Sequence, residues 1–131
     1  MREILIITHG NLAIEILAVA ESILEKKTRA KAVCCDLGLT PEQYKTKIED
    51  TLNSLVANEQ VIILTDMFGG SPSNLSIPFI KKDQLEVITG LNLAMLLYIL
   101  SEDERTSFQD LCKGTKKAGE EAIVIAGEFL I

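Results

Sequence analysis

The 131-residue sequence contains no tryptophan, and aromatic residues make up only 5% of it. Surfaces that bind single-stranded nucleic acid stack the bases on aromatic side chains, so this composition argues against such a surface. Basic residues are outnumbered as well, with 13 lysines and arginines against 19 acidic residues and a net charge of −6. The nearest basic cluster, within residues 26–31, is typical of a solvated helix end. We therefore expect no nucleic-acid partner.

Long apolar runs are also missing. The longest, residues 91–100, is interrupted by Asn92 and is far shorter than the roughly 18 residues of a membrane-spanning helix. Arg2 and Glu3 follow Met1 directly, and the short apolar run after them lacks the length of a secretory signal. Hydrophobic residues still make up 47% of the chain, which excludes intrinsic disorder. The sequence therefore predicts one domain over residues 1–131, located in the cytoplasm.

Three cysteines are present, Cys34, Cys35 and Cys112, and none of them forms a C-x-x-C pair. An odd number of cysteines without that spacing argues against a disulfide framework and against a zinc site. We interpret all three as small hydrophobic side chains. On a strand, the side chains of Cys34 and Cys35 would point to opposite faces. Because no motif suggests a magnesium or nucleotide site either, the sequence predicts neither a metal nor a cofactor.

Short apolar runs alternate with segments of helical periodicity along the chain, which predicts alternating strands and helices. The predicted strands are residues 3–8, 32–35, 61–65, 85–89 and 122–126. The predicted helices are residues 12–25, a helix after residue 40, a helix after residue 71, and residues 93–100 and 107–117. This alternation is typical of an open, doubly wound α/β fold with a mostly parallel sheet and helices on both faces. The last strand has no helix after it, so it is either an antiparallel edge or pairs with another chain.

Capping residues mark the helix starts. Thr40 with Gln43 three residues later predicts a capping box, and Asn92 is predicted to cap the helix that follows it. Ser71 is predicted to cap the third helix, which Pro78 should shorten or kink. The second helix is expected to turn five side chains inward: Tyr44, Ile48, Leu52, Leu55 and Val56.

We expect the chemistry to lie at the carboxyl ends of the strands, in the crevice where the strand order reverses. His9, the only histidine, directly follows the first predicted strand. An imidazole there can act as a nucleophile or as a base near neutral pH. The alternative is a structural histidine that hydrogen-bonds a loop or lies in the core.

Asp66 directly follows the third predicted strand. If the first and third strands are neighbours, its carboxylate can reach one ring nitrogen of His9. Such a bond fixes the tautomer of the ring and leaves the other nitrogen free to attack. The alternative role for Asp66 is a turn or loop cap.

Gly69 and Gly70, followed by Ser71, lead into the third predicted helix. Glycines allow close approach of the backbone, and the free amides at a helix N-terminus attract an anion. The hydroxyl of Ser71 or Ser73 is a candidate further donor, and amides near Gly10 can contribute. An ordinary strand-to-helix turn is the alternative, because the run is neither a Walker loop nor a G-x-G-x-x-G motif. Imidazole, carboxylate and anion site together suit a phosphoryl group carried on histidine and passed between proteins.

Three runs of this sequence resemble the enzyme IIA component of the mannose family of the phosphoenolpyruvate-dependent sugar phosphotransferase system (PTS). They are Ile-Ile-Thr-His-Gly at residues 6–10, Thr-Asp-Met-Phe-Gly-Gly-Ser-Pro-Ser-Asn at residues 65–74, and Val-Ile-Thr-Gly-Leu-Asn-Leu-Ala-Met-Leu at residues 87–96. The resemblance covers essentially the whole chain, and the second run is the most specific. The third run departs from the family at Ala94, where proline is usual.

The resemblance implies that His9 accepts a phosphoryl group from the phosphocarrier protein HPr and passes it to a IIB component. That component would phosphorylate the incoming sugar at the membrane IIC/IID permease. Asp66 matches the carboxylate that pairs with the histidine in this family, so we expect it on Nδ1 while Nε2 attacks. The transported sugar is not encoded here, because this domain contacts only phosphate and proteins.

The resemblance also implies a homodimer in which the last strand is exchanged between subunits, which would account for the lone strand at residues 122–126. Because the chain ends at Ile131 without a fused IIB domain, we expect the IIB partner on a separate polypeptide. Phe68 and Asn92 are candidate residues for docking a partner, with burial as the alternative for Phe68.

Three alternatives remain open at this stage. The similar phosphocarrier subunit that feeds dihydroxyacetone kinase also uses a histidine after the first strand, although the Phe-Gly-Gly-Ser-Pro stretch favours the mannose family. A regulatory module could use a phosphorylated His9 as a signal without feeding a permease. A flavodoxin-like mononucleotide binder is disfavoured by the scarcity of aromatic residues.

Overall fold

A parallel sheet of four strands forms the centre of the computed structural model, which describes residues 2–55 and 59–130. The strands are β1 (Arg2–His9), β2 (Lys31–Cys35), β3 (Gln60–Thr65) and β4 (Leu85–Ile88). Their order across the sheet is β2-β1-β3-β4, and every neighbouring pair is parallel. The chain first moves outward from β1 to β2 and then crosses back to β3 on the other side of β1. The strand order therefore reverses between β1 and β3.

Five helices cover both faces of the sheet, as the alternating pattern predicted. They are α1 (Leu12–Leu24), α2 (Pro41–Asn53), α3 (Ser71–Ser76), α4 (Leu93–Ser101) and α5 (Phe108–Glu121). Buried side chains of α1, α4 and α5 pack on one face of the sheet, and those of α2 pack on the other face, together with Leu75 of α3. The doubly wound α/β fold is confirmed. No helix in the described ranges is both long and apolar enough to cross a membrane.

The strands contribute alternate residues to the two cores. Ile6 and Cys34 belong to the core under α1, α4 and α5, whereas Leu5 and Cys35 belong to the core under α2. The prediction that neighbouring cysteines face opposite ways is therefore confirmed. Burial raises the pKa of the Cys35 and Cys112 thiols to about 11. Both thiols are protonated at neutral pH, which fits their interpretation as small hydrophobic side chains.

The capping predictions hold for two helices and fail for one. Thr40 Oγ1 accepts a hydrogen bond from the Gln43 amide (3.2 Å), Gln43 Oε1 accepts one from the Thr40 amide (2.9 Å), and Asn92 Oδ1 accepts one from the Met95 amide (2.9 Å). The predicted N-cap Ser71 is instead the first helical residue, and Gly70 occupies the N-cap. The Ser71 prediction was wrong because the extended backbone of Gly70 begins the turn one residue earlier.

Two details of α2 and α3 can also be compared with the sequence. Helix α3 ends at Ser76, and Pro78 lies in the 3₁₀ turn Ile77–Phe79, so the predicted shortening is confirmed. Tyr44 and Ile48 of α2 are buried, while Leu52 and Leu55 are half-buried. The fifth side chain predicted to face inward, Val56, lies outside the described residues.

The predicted strand at residues 122–126 is wrong for the single chain. Helix α5 continues to Glu121, residues 123–125 have no regular structure, and a 3₁₀ turn covers Ala126–Phe129. A strand needs a neighbouring strand to satisfy its amide and carbonyl groups, and within the described chain this segment pairs with none. Its apolar side chains consequently lie in solvent, with Ile123 79% exposed and Ile125 69% exposed.

Candidate functional site

His9 and Asp66 meet where the strand order reverses. His9 is the last residue of β1, and Asp66 directly follows β3. These strands are hydrogen-bonded neighbours, with Ile7 opposite Thr65 in the register. The carboxyl ends of both strands therefore place the side chains of His9 and Asp66 at the same crevice, as the sequence predicted.

The carboxylate of Asp66 holds His9 at two points. Asp66 Oδ2 lies 2.7 Å from Nδ1 of the His9 ring and 3.1 Å from the backbone nitrogen of His9. A carboxylate oxygen only accepts hydrogen bonds, so Nδ1 carries the ring proton and Nε2 of the neutral ring has a free lone pair. The His9 side chain is 32% exposed and that of Asp66 is 14% exposed. The His9 ring is therefore partly open to solvent, while its Nδ1 is engaged by Asp66.

The backbone of Gly70 lies against the free side of the ring. A Cβ placed on Gly70 would lie 2.6 Å from Cε1 of His9 and 3.3 Å from Nε2, so only glycine fits at this distance. Gly69 has a φ of +86°, a left-handed conformation that favours glycine. The amide nitrogen Nδ2 of Asn74 donates to the Gly69 carbonyl over 3.0 Å and holds this turn. Gly70 is the N-cap of α3, so the helix, whose first amides have no partner within it, begins one residue after the glycine that contacts the ring.

Two of the predicted donors are already engaged. The Gly10 amide donates to the Cys35 carbonyl over 2.8 Å, so it is not free to bind an anion in this structure. The Ser73 side chain is fully buried, and its hydroxyl donates to the Met67 carbonyl. Ser71 is half-buried at the start of α3 and remains beside the glycine turn. The candidate anion site therefore reduces to Gly69, Gly70 and Ser71.

The two candidate docking residues differ in their surroundings. Phe68 is 74% exposed on the loop that follows Asp66. Asn92 uses its oxygen to cap α4, and its Nδ2 donates to the Gly119 carbonyl over 3.1 Å. Its side-chain amide therefore has structural bonds to α4 and α5, so a docking role for Asn92 would have to compete with them.

Thr8 supports the start of α1, a role that the sequence analysis did not identify. Its fully buried hydroxyl accepts a hydrogen bond from the Ala13 amide over 2.8 Å. Asn11, at the N-cap of α1, makes no side-chain capping bond, so Thr8 satisfies a helix amide from outside the helix. The signal in the sequence was a threonine that follows the apolar run at residues 4–7 and directly precedes His9.

Fold and site together define a doubly wound α/β protein with a histidine–aspartate pair at its switch point. The family model EIIA-man, described as "PTS system fructose IIA component", matches residues 3–116. This chain belongs to that family, the enzyme IIA components of the sugar phosphotransferase system.

Individual relatives agree with this assignment. The chain is 28% identical over 131 residues to a PTS system fructose-specific EIIA component of Bacillus subtilis, covering 99% of this chain and 90% of that protein. It is 30% identical over 122 residues to the PTS system mannose-specific EIIAB component of Escherichia coli K12, covering 92% of this chain. The matched region spans only 38% of that longer relative.

A solved structure has the same fold. The phosphotransferase system component EIIA from Streptococcus agalactiae superimposes with a TM-score of 0.85, covering 98% of this chain and 99% of that one. At a sequence identity of 24%, this likeness shows the fold alone.

Proposed function

We propose that this chain accepts a phosphoryl group from phospho-HPr on Nε2 of His9 and passes it to a IIB component. The observation that carries the proposal is the 2.7 Å contact between His9 Nδ1 and Asp66 Oδ2 at the strand-order reversal. Membership of the enzyme IIA family supplies the class of reaction. The contact keeps a ring proton on Nδ1, so that Nε2 of the neutral tautomer offers its lone pair to the phosphoryl group.

The transfer itself is a displacement at phosphorus. The lone pair of Nε2 forms the new N–P bond while the bond between phosphorus and the donor breaks, through an in-line, loose transition state. The ring proton stays on Nδ1, where the Asp66 carboxylate stabilises the positive charge that the ring acquires. Passing the group to the IIB component reverses these steps and regenerates the neutral ring.

Charge on the phosphoryl oxygens is stabilised by the glycine turn in this proposal. Gly70 lies against the His9 ring, and the amides of Gly69, Gly70 and Ser71 belong to the turn that leads into α3. Oriented amides stabilise developing negative charge without having to reorganise during the reaction. A short helix provides a cradle of modest strength, and a carrier requires modest strength because the phosphoryl group must leave again.

A Gly70→Ala variant tests this arrangement. The new Cβ would lie 2.6 Å from His9 Cε1, and the ring is pinned by Asp66, so ring or loop must move. We expect phosphorylation to slow about 10- to 100-fold, the range that small misplacements of reacting groups produce. The backbone of residue 70 (φ −78°, ψ 164°) suits alanine, so the fold should persist.

The matched control is Gly38→Ala, because Gly38 has open space and no left-handed backbone. Single-turnover phosphorylation rates compare the two variants with the parent. Equal rates in all three proteins would remove Gly70 from the proposed site.

Partners are proposed to dock around the exposed loop that follows Asp66. Phe68 and Met67 are exposed apolar side chains beside the site, and a transient complex needs only a small contact area. The same surface would receive HPr and then a IIB component, with the sugar phosphorylated at the membrane IIC/IID permease. We propose the cytoplasm as the compartment of both transfers.

A homodimer with exchanged carboxyl-terminal segments is also proposed. In its support, residues 123–125 carry three exposed apolar side chains, and β4 is an edge strand of the sheet. An unpaired strand edge and an unpaired apolar segment can satisfy each other between two chains.

Deleting residues 122–131 tests the dimer. We expect the truncated chain to be monomeric or to aggregate, because the segment that would cover the β4 edge is gone. Size-exclusion chromatography with light scattering gives the mass of the full and the truncated chain under the same conditions. A truncated chain with the mass of a normal dimer would refute the exchange.

The experiment that tests the function is transfer from phosphoenolpyruvate through enzyme I and HPr. We expect the intact mass to rise by one phosphoryl group, in an adduct that is labile in acid and stable in base. No adduct, with enzyme I and HPr shown to be active, would overturn the proposed function.

A further inference from the structure

Two buried hydroxyls lie behind the loop that carries Asp66. Thr65 ends β3, Ser73 lies in α3, and both side chains are completely buried. Their hydroxyl oxygens are 2.6 Å apart, and Ser73 Oγ also hydrogen-bonds the Met67 carbonyl. Buried polar groups of this kind form a network in which each bond depends on the others.

The direction of each bond follows from the number of protons. A carbonyl only accepts, so the single hydroxyl proton of Ser73 goes to Met67. Thr65 must then donate to Ser73 in the 2.6 Å bond. The chain of bonds runs from the Thr65 hydroxyl to the Ser73 hydroxyl to the Met67 carbonyl, so each hydroxyl proton has one defined acceptor.

This chain of bonds anchors the backbone on both sides of Asp66. Thr65 precedes it and accepts a hydrogen bond from the Leu91 amide on its carbonyl, over 2.9 Å. Met67 follows it and is held by Ser73. With both neighbours fixed, the Asp66 carboxylate is directed to the one place where Oδ2 meets the backbone nitrogen and Nδ1 of His9.

We propose that Ser73 is a positioning residue for phosphoryl transfer, because its hydroxyl, oriented by Thr65, fixes the loop that aims Asp66 at His9. This inference rests on the proposed function. It gives Ser73 a different role from the phosphate donor expected from the sequence, since its proton is already donated and its side chain is inaccessible.

Helix α3 offers a matched control in Ser76. Ser76 is also completely buried, and its hydroxyl donates to the Pro72 carbonyl over 2.6 Å, away from the Asp66 loop. Ser73→Ala and Ser76→Ala each remove one buried serine hydroxyl that donates to a carbonyl. We expect a larger loss of thermal stability in Ser73→Ala, because it also leaves the buried Thr65 hydroxyl without its acceptor. At a temperature where both variants are folded, we expect only Ser73→Ala to slow phosphorylation by HPr, by about 10-fold or more.

Combining Ser73→Ala with a variant of Asp66 distinguishes a positioning role of Ser73 from a general loss of stability. If Ser73 acts through Asp66, Ser73→Ala should slow an Asp66→Ala protein no further, because that variant already lacks both bonds to His9. In a chain whose only change is Ser73→Ala, the ¹⁵N signal of His9 Nδ1 should shift. Ser76→Ala should leave that signal in place. Thr65→Val keeps the side-chain shape and the bond from Ser73 to Met67, so we expect a smaller slowing than in Ser73→Ala.

Three results would overturn the inference. One is an equal rate in Ser73→Ala and Ser76→Ala, and another is the same slowing by Ser73→Ala with and without Asp66. The third is an unchanged rate in both Thr65→Val and Ser73→Ala. Failure of the unaltered chain to take up a phosphoryl group would instead overturn the proposed function, so the two failures are distinguishable.

Discussion

We expect a His9→Ala variant to take up no phosphoryl group from phospho-HPr and to keep the fold of the parent chain. His9 is the only histidine of the sequence, so no second imidazole can replace it as the acceptor. The fold should tolerate the change because the ring is partly exposed and ends a strand. Asp66 Oδ2 also keeps a partner in the variant, namely the backbone nitrogen of residue 9.

Intact mass after incubation with enzyme I, HPr and phosphoenolpyruvate measures the uptake, and circular dichroism with thermal melting checks the fold. His9→Gln serves as a companion, because glutamine offers Asp66 an N–H donor but has no nucleophilic ring nitrogen. A phosphoryl adduct on either folded variant would contradict the assignment of His9.

An Asp66→Asn variant folds normally and transfers more slowly, by about 10- to 100-fold, the difference expected when a hydrogen bond loses its charged partner. The structure indicates that this variant loses the negative charge of Asp66 and keeps the hydrogen bonds to His9. Asp66 Oδ2 accepts from two N–H groups of His9, so an asparagine must place its oxygen there and keep the proton on Nδ1. Oδ1 of Asp66 is buried and has no hydrogen-bond partner among the described residues, so the new amide group would lie in that unpartnered position.

Asp66→Ala is the sharper comparison, because it removes both bonds and lets the ring adopt either tautomer. We expect a greater loss than in Asp66→Asn, on the order of 10²- to 10⁴-fold. Single-turnover rates measure both variants, and ¹⁵N spectra of the ring report which nitrogen carries the proton. Rates equal to the parent in both would exclude Asp66 from the mechanism.

Local chemistry made much of the fold predictable, and contacts distant in sequence account for the differences. The capping box at Thr40 is a local pattern and formed as predicted. The end of α5 was predicted near residue 117, but the helix runs to Glu121 through Gly119. Gly119 ends no helix here because it packs against Met95 of α4, where a Cβ would lie 2.5 Å from the Met95 Cγ. That requirement comes from a residue far away in the sequence.

In the candidate site, too, some residues were predictable from local sequence and others depend on contacts made only in the folded chain. His9 and Asp66 were predictable because each follows an apolar strand, and adjacent strands bring them together. The fate of Ser73 was not predictable, because its partner is the Met67 carbonyl, whose direction is set by the folded loop. The segment after residue 121 was mispredicted because a short continuous apolar run signals a strand without saying which strand it pairs with.

The placement of Asp66 over Nδ1 has a kinetic consequence for a carrier of this kind. Asp66 engages Nδ1 of His9, so in the proposed function the phosphoryl group arrives and departs at the same nitrogen, Nε2. The donor protein and the acceptor protein would then compete for the same surface around Nε2 and could not bind it together. We therefore expect the proposed transfer to follow a ping-pong sequence in which an excess of either partner inhibits the other. Flux through such a protein is governed by the ratio of its two partners as much as by their amounts.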